Sequence, residues 1–337
     1  MKAVGYRASL PISDPNSLID IEMDEPTPGP RDLLVKVRAI SVNPIDTKMR
    51  IRQSAEAPNW KVLGWDAVGE VIAIGSECKR FNVGDQVYYA GALNRQGTNA
   101  ELHCVDERIV GHKPRSLSDA KAAALPLTAL TAWETLFDRL SIQNAVLGAL
   151  NGIVIIGGAG GVGSLAIQLA KQVGKLNVAA TASRKETKEW VRDLGADVVF
   201  DHSKPLAEQF LRAGWNDVGF AFSTNQTHVY VAALADAMAP QGRFALIDDP
   251  DVFDIKLFKR KSISIHWELM FTRSLFSTSD MERQGWILDQ VARGIDDDAL
   301  QTTMGSHYGS ISASNLRRAH ADLEAGRVKG KIVLEQF

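Results

Sequence analysis

Three glycines spaced Gly158-x-Gly160-x-x-Gly163 sit inside the stretch IVIIGGAGGVGSLAIQLAK, residues 153–171. An apolar run precedes them and an amphipathic stretch follows, which is the setting a phosphate-binding turn requires. The first glycine allows a tight turn. The second lets the backbone approach a pyrophosphate, and the third lets a helix pack close to a sheet. Gly158, Ala159, Gly160, Gly161, Val162 and Gly163 would offer free N–H groups and the positive end of a helix to an anion. A strand–helix turn with no ligand is the alternative.

An acid at the end of the second strand would bind the 2′-hydroxyl of an NAD ribose. About 20 residues past the loop, where that acid belongs, the chain reads TASRKETKEW, with Ser183, Arg184 and Lys185. Cations there suit a 2′-phosphate, so NADPH is the expected cofactor. Ser183 and Glu186 also have the S-x-x-E spacing of a capping box, and the two roles are compatible.

Metal chemistry finds little to work with. Catalytic zinc takes three protein ligands from Cys, His and carboxylates. The chain has two cysteines, Cys78 and Cys104, and seven histidines. His103 and Cys104 are neighbours on an expected strand, so their side chains leave opposite faces. The other histidines are scattered, and no C-x-x-C or H-x-x-x-H occurs. No metal site is expected.

The elements that must hold these residues follow from the whole chain. Its 337 residues suffice for two domains. The composition, 45% hydrophobic and 23% charged with net charge −2, fits a globular protein and gives no sign of nucleic-acid or anionic-membrane partners. Two cysteines make no disulfide framework. No apolar run reaches membrane-span length and no signal-peptide pattern opens the chain, so the expected location is the cytoplasm. Residues 1 to about 115 read as short strands, among them 33–43, 67–75 and 85–90. A helical stretch covers 116–140, with Ser118 or Asp119 as its cap. Strands and helices then alternate to residue 267, the sign of a parallel doubly wound sheet. The tail after it is too short to stand alone and is placed on the first region. The expected fold is α/β: a Rossmann domain over 125–267 and a discontinuous β-rich domain over 1–124 and 268–337.

With those elements in place, the chain resembles the medium-chain dehydrogenase/reductase superfamily, in its zinc-free quinone oxidoreductase branch. The resemblance rests on SVNPIDTKMR (41–50), LGWDAVGEV (63–71), VGDQV (83–87), LPLTALTAWE (125–134), GGAGGVG (157–163), LGAD (194–197) and GKIVL (330–334). HWELMFTRSLF (266–276) is similar to a subgroup labelled zinc-type alcohol dehydrogenase-like. The resemblance implies a GroES-like first domain and a site at the carboxyl ends of the sheet strands. It implies that zinc-ligand positions of other branches are here Asn43, the Gly64-Trp65-Asp66 triplet and Leu127. It places Thr128 and Thr131 where relatives contact the nicotinamide, and it implies a homodimer, which the edge strand at 262–266 would extend.

Without a Lewis acid, hydride transfer favours an acceptor that spreads its own charge, such as a quinone or an α,β-unsaturated carbonyl. The protein then needs only to position, exclude water and donate hydrogen bonds. Asn43 is a candidate contact to substrate or ribose, or a turn residue before Pro44. Thr128 and Thr131 either contact the nicotinamide or pack their helix. Ser223 and Thr224 follow a sheet strand and are expected to line the cofactor. Trp65, Trp267 and Phe271 are candidates for an apolar wall against a flat substrate, or core. Arg273 would stabilise an oxyanion or bind a phosphate, or form a salt bridge. No proton donor is evident. A zinc alcohol dehydrogenase and a non-catalytic NADPH-binding sensor are the competing readings.

Overall fold

A computed structural model describes residues 1–337. Two compact units divide the chain: Met1–Leu130 with Phe271–Phe337, and Thr131–Met270. The chain changes unit inside the helix Pro126–Trp133 rather than at 124/125. The first turn of that helix belongs to the β-rich unit because the Leu127 N–H donates to Asp66 Oδ1 at 2.7 Å.

The second unit is a six-stranded sheet. Its strands are β1 Leu150–Ile156, β2 Asn177–Thr181, β3 Val198–Phe200, β4 Val218–Ser223, β5 Met238–Leu246 and β6 Ser264–Trp267. Every neighbouring pair is parallel. The spatial order is β3-β2-β1-β4-β5-β6. The order reverses between β1 and β4, and ligands bind outside the carboxyl ends at such a point. The apolar runs of β1 and β4 are buried nearly throughout, as strands covered on both faces must be. One core cluster joins Val154, Ile156, Ala221, Phe244 and Phe258.

The β-rich unit centres on the long strand Asp32–Val42. It pairs antiparallel with Asp66–Ile74 and with the last strand, Lys331–Glu335. The register sets Ser41 beside Asp66 and Val42 beside Ile332. A separate three-stranded sheet joins Ile19–Glu22, Lys2–Tyr6 and Lys61–Val62. The segment Phe271–Phe337 belongs to this unit.

Two segments depart from expectation. The stretch 116–140 is not one helix. It breaks into Asp119–Ala123, Pro126–Trp133 and a π-helical turn, Glu134–Arg139. Pro126 lacks an N–H and starts the second piece. Ser118 caps the first, accepting from the Lys121 N–H at 3.4 Å. The second departure is a helix at Pro44–Arg52. Pro44 stands at its first position, and the Asn43 N–H donates to Asp46 Oδ2 at 2.8 Å. No helix is long and apolar enough to cross a membrane.

Candidate active site

The glycine loop joins β1 to the helix Gly161–Gln172. The tight turn falls on Gly157, with φ of 75°, and not on Gly158. A Cβ at Gly157 would lie 2.3 Å from Thr224 Oγ1, so the ends of β1 and β4 touch there. The Gly157 N–H donates to Thr181 Oγ1 at 2.9 Å, which ties in the end of β2. A Cβ at Gly163 would lie 2.3 Å from the Gly157 carbonyl oxygen, so the third glycine is needed for close packing. Gly160 differs. A Cβ there would meet only that same carbonyl, at 3.5 Å, and otherwise open space. Gly160 is the N-cap and no side chain caps the helix. The loop is thus an open cradle ending in a twelve-residue helix whose first N–H groups point at it. It fits a dinucleotide pyrophosphate.

At the ends of β2 and β3, Arg184 and Lys185 are exposed and Ser183 is half-buried. The helix begins at Lys185 with Arg184 as N-cap, one residue later than the Ser183–Glu186 box requires. Thr187 Oγ1 donates to the Arg184 carbonyl at 2.9 Å. Lys188 Nζ lies 2.8 Å from Asp201 Oδ2. His202 is pushed below its ordinary value by burial, and the Lys188 and Arg184 charges add to that. Around the Asp201 carboxylate, which pairs with Lys188 and opposes the push on His202, the corner therefore gathers Arg184, Lys188 and His202. The sequence reading missed the last two, although both follow the cation-rich stretch closely.

The β-rich unit holds a saturated polar cluster. Asp66 Oδ2 accepts from Ser41 Oγ at 2.7 Å, Asn43 Nδ2 at 2.7 Å and Lys331 Nζ at 2.9 Å. Lys331 also donates to Asn43 Oδ1. All four side chains are buried. Asp46 caps the same loop, and burial raises its carboxyl to about 7. Asn43 is therefore spent inside the unit and does not present a free amide, contrary to its expected contact with substrate or ribose. At the positions that the resemblance sets against zinc ligands stand an amide engaged by a carboxylate and an ammonium, a tryptophan, and Leu127. None is a zinc donor in this arrangement, and no group of three or more His, Cys, Asp or Glu side chains converges as a metal would require.

Other expected residues are placed as follows. Thr128 Oγ1 donates to the carbonyls of Ala124 (3.3 Å) and Leu125 (3.0 Å), so its hydroxyl serves its own helix. Thr131 is buried in the other unit, and its carbonyl accepts from Thr135 Oγ1 at 2.7 Å. Ser223 is enclosed and accepts from Thr227 Oγ1 at 2.7 Å. Thr224 Oγ1 donates to the Ile156 carbonyl at 2.8 Å, at the lip of the glycine loop. Arg273 is buried and forms an ion pair with Asp280 at 3.0 Å, so it is a packed salt bridge rather than a free anion clamp. Trp65 and Phe271 meet edge to face, ring centroids 6.1 Å apart, both buried. Trp65 also edges an open, largely polar groove lined by Trp60 and Pro58 together with Glu22, Asp24, Glu56 and Lys61. Trp267 sits on β6 in the other unit, 54% exposed, against Phe253.

Residues 29–120 match the alcohol dehydrogenase GroES-like domain, and residues 194–334 match the zinc-binding dehydrogenase family. A zinc-type alcohol dehydrogenase-like protein of Staphylococcus aureus (strain MSSA476) is 40% identical over 99% of both chains. A Rhizobium etli CFN 42 structure, named for a zinc-dependent alcohol dehydrogenase, is 54% identical with a TM-score of 0.98, covering 100% of this chain and 98% of its own. The quinone oxidoreductase from Coxiella burnetii is 27% identical with a TM-score of 0.81, covering 100% of this chain and 99% of its own. Fold, glycine loop and full-length likeness agree: the chain belongs to the medium-chain dehydrogenase/reductase superfamily of oxidoreductases.

Proposed function

We propose that the protein is a zinc-independent, NADPH-dependent reductase of quinones or α,β-unsaturated carbonyls. The observation that supports this reading is the closed Ser41–Asn43–Asp66–Lys331 cluster, whose one carboxylate, Asp66, is fully engaged by an ammonium, an amide and a hydroxyl. A carbonyl that must be reduced without a Lewis acid is best conjugated, because the charge left by hydride addition then spreads through the acceptor.

The cofactor, when bound, supplies the hydride. The chain's own residues do the rest. The N–H groups at the start of Gly161–Gln172 hold the pyrophosphate. Arg184 and Lys185, both exposed just after β2, supply cations that suit a 2′-phosphate rather than a bare hydroxyl. Thr224 stands at the lip of the loop.

We also propose a homodimer formed by pairing β6 strands. β6 is the last strand of its sheet, and Trp267, Leu269, Val252 and Ile255 are exposed beside it.

The test is steady-state oxidation of NADPH and of NADH with a quinone, an enone and the matching saturated ketone. Turnover with NADPH and a conjugated acceptor, but not with the ketone, is expected. Equal or faster reduction of the saturated ketone overturns the reading.

A further inference from the structure

A second strand–helix turn lies beside the glycine loop at the carboxyl edge of the parallel sheet. β1, β4 and β5 end level there, because Ser223 is in register with Ile156 on one side and Leu246 on the other. Past these ends the chain runs Ser223-Thr224-Asn225-Gln226 into the helix Thr227–Ala237. Gln226 stands at the N-cap with φ of 49° and ψ of 37°, and its side chain makes no capping bond. A residue with a side chain enters that left-handed region only where its surroundings hold it there.

Asp248, just past β5, supplies the hold. Its Oδ2 accepts from the Thr227 N–H at 2.9 Å. Its Oδ1 is hydrogen-bonded to Thr227 Oγ1, which in turn lies 2.7 Å from Ser223 Oγ. Ser223 and Thr227 are both fully buried. The Ile247 N–H donates to the Ser223 carbonyl at 3.3 Å, so the backbone beside Asp248 is itself tied to β4. Asp248 thus caps the helix from another strand, in place of the residue at the cap position. Its negative charge suits the positive end of that helix.

The loop fixed in this way forms part of the rim of the glycine cradle. Thr224 Oγ1 and Asn225 Oδ1 would stand 2.3 Å and 2.9 Å from a Cβ at Gly157, the residue of the tight turn. Thr224 donates twice to the Ile156 carbonyl, through its N–H at 3.4 Å and its Oγ1 at 2.8 Å. The glycine turn and the Thr224 loop therefore lean on each other. A shift of Thr227 moves Thr224 and Asn225, and with them the support of Gly157.

We propose that Asp248 is a positioning residue for the cofactor cradle: by tying Thr227 to the end of β5, it holds the Thr224–Asn225 loop against the glycine turn. The inference rests on the proposed function, because it takes that turn to hold the pyrophosphate of NADPH. Asp248 acts through the loop and not by contact with the cofactor. Without it, Gln226 relaxes from its left-handed conformation and the loop draws away from Gly157.

The experiment measures NADPH and NADH dissociation constants by fluorescence, with melting temperatures alongside. Asp248→Ala is expected to weaken NADPH about fivefold to tenfold, the size of a coupling between groups in contact. Asp248→Asn keeps an oxygen for the Thr227 N–H and should stay within about twofold of wild type, since Asn caps helices as well as Asp. Thr227→Val falls between the two and decides the matter should Asp248→Ala fail to fold. A direct electrostatic role predicts the reverse, because removing a negative charge near an anionic cofactor tightens binding. Tighter NADPH binding in Asp248→Asn, or wild-type affinity in both Asp248→Ala and Thr227→Val, overturns the proposal. Asp197 is the control for stability alone. At the amino edge of the same sheet it accepts from the Val178 N–H at 2.8 Å and from Lys171 Nζ at 2.6 Å. Asp197→Ala should melt lower yet bind NADPH within about twofold of wild type. Weakening as large as that of Asp248→Ala would reduce the effect to lost stability and overturn the role. In a Thr224→Val background, Asp248→Ala should add less than about twofold, because the two act through one loop. Effects that multiply in full overturn that route. Tighter wild-type binding of NADH would sink the NADPH reading, while the ratios among variants, taken with NADH, still decide the role of Asp248. A wild type that binds neither dinucleotide sinks the proposed function and this role with it.

Discussion

Asp66 and Lys331, 265 residues apart, meet at 2.9 Å with their side chains 0% and 4% exposed. Strand register brings them together: Asp66 pairs with Ser41, and Lys331 precedes Ile332, the partner of Val42. The carboxylate then binds the Leu127 N–H as well, so one ion pair fixes the strand centre, the Asn43 loop and the helix Pro126–Trp133.

Removing one partner strands the other charge in a closed site. Lys331→Met should lower unfolding free energy by about 3–5 kcal/mol, read by urea denaturation. The double variant Asp66→Asn with Lys331→Met should lose clearly less, because no uncompensated charge remains. A double variant as damaged as the sum of the singles would contradict the pair.

The glycine loop separates packing from binding. Gly163→Ala pushes a methyl group to 2.3 Å from a backbone oxygen that cannot swing away, and should cost about 1–3 kcal/mol of stability. Gly160→Ala meets open space, and Gly160 has an extended backbone that alanine accepts. Its stability should stay level or rise by up to about 1 kcal/mol, while NADPH binding weakens because the methyl group fills the cradle. Unchanged NADPH affinity in Gly160→Ala would count against the loop as the pyrophosphate site.

His320 is fully buried, and neither ring nitrogen has a hydrogen-bond partner. Burial, with the Arg50 charge adding to it, pushes it down to about 3. The folded value lies below the ordinary 6.5, so its contribution to stability is complete above about 6.5 and is lost as pH falls toward 3. His320→Leu should melt higher at pH 7, by about 1 kcal/mol of stability, and should lose less between pH 6.5 and 4. A variant with the wild-type slope in that window would refute the assignment.

The β6 edge predicts a dimer by light scattering at micromolar concentration. Trp267→Glu places a charge on the exposed edge and should shift the mass toward a monomer without changing the far-ultraviolet circular dichroism. A wild type of monomeric mass would remove this part of the account.

Much of the Rossmann unit was legible because its strands and helices are local patterns, and the glycine spacing marks the turn. The β-rich unit was less so. GKIVL reads as a motif, yet nothing near Lys331 announces Asp66; only the antiparallel register does. Pro44–Arg52 is polar enough to hide as a helix, and its signal was the Asn-Pro-x-Asp start. Trp267 and Phe271 are four residues apart and look like one wall, but the chain changes unit at 270/271. Glu134 and Glu268 each look like surface acids until both prove buried.

The central claim is reduction without zinc. The protein is dialysed against a chelator, its metal content is measured, and NADPH loss is followed with quinones and enones. Turnover at full rate with zinc far below one per chain is the predicted result. Activity that vanishes on chelation and returns in proportion to added zinc would contradict the account.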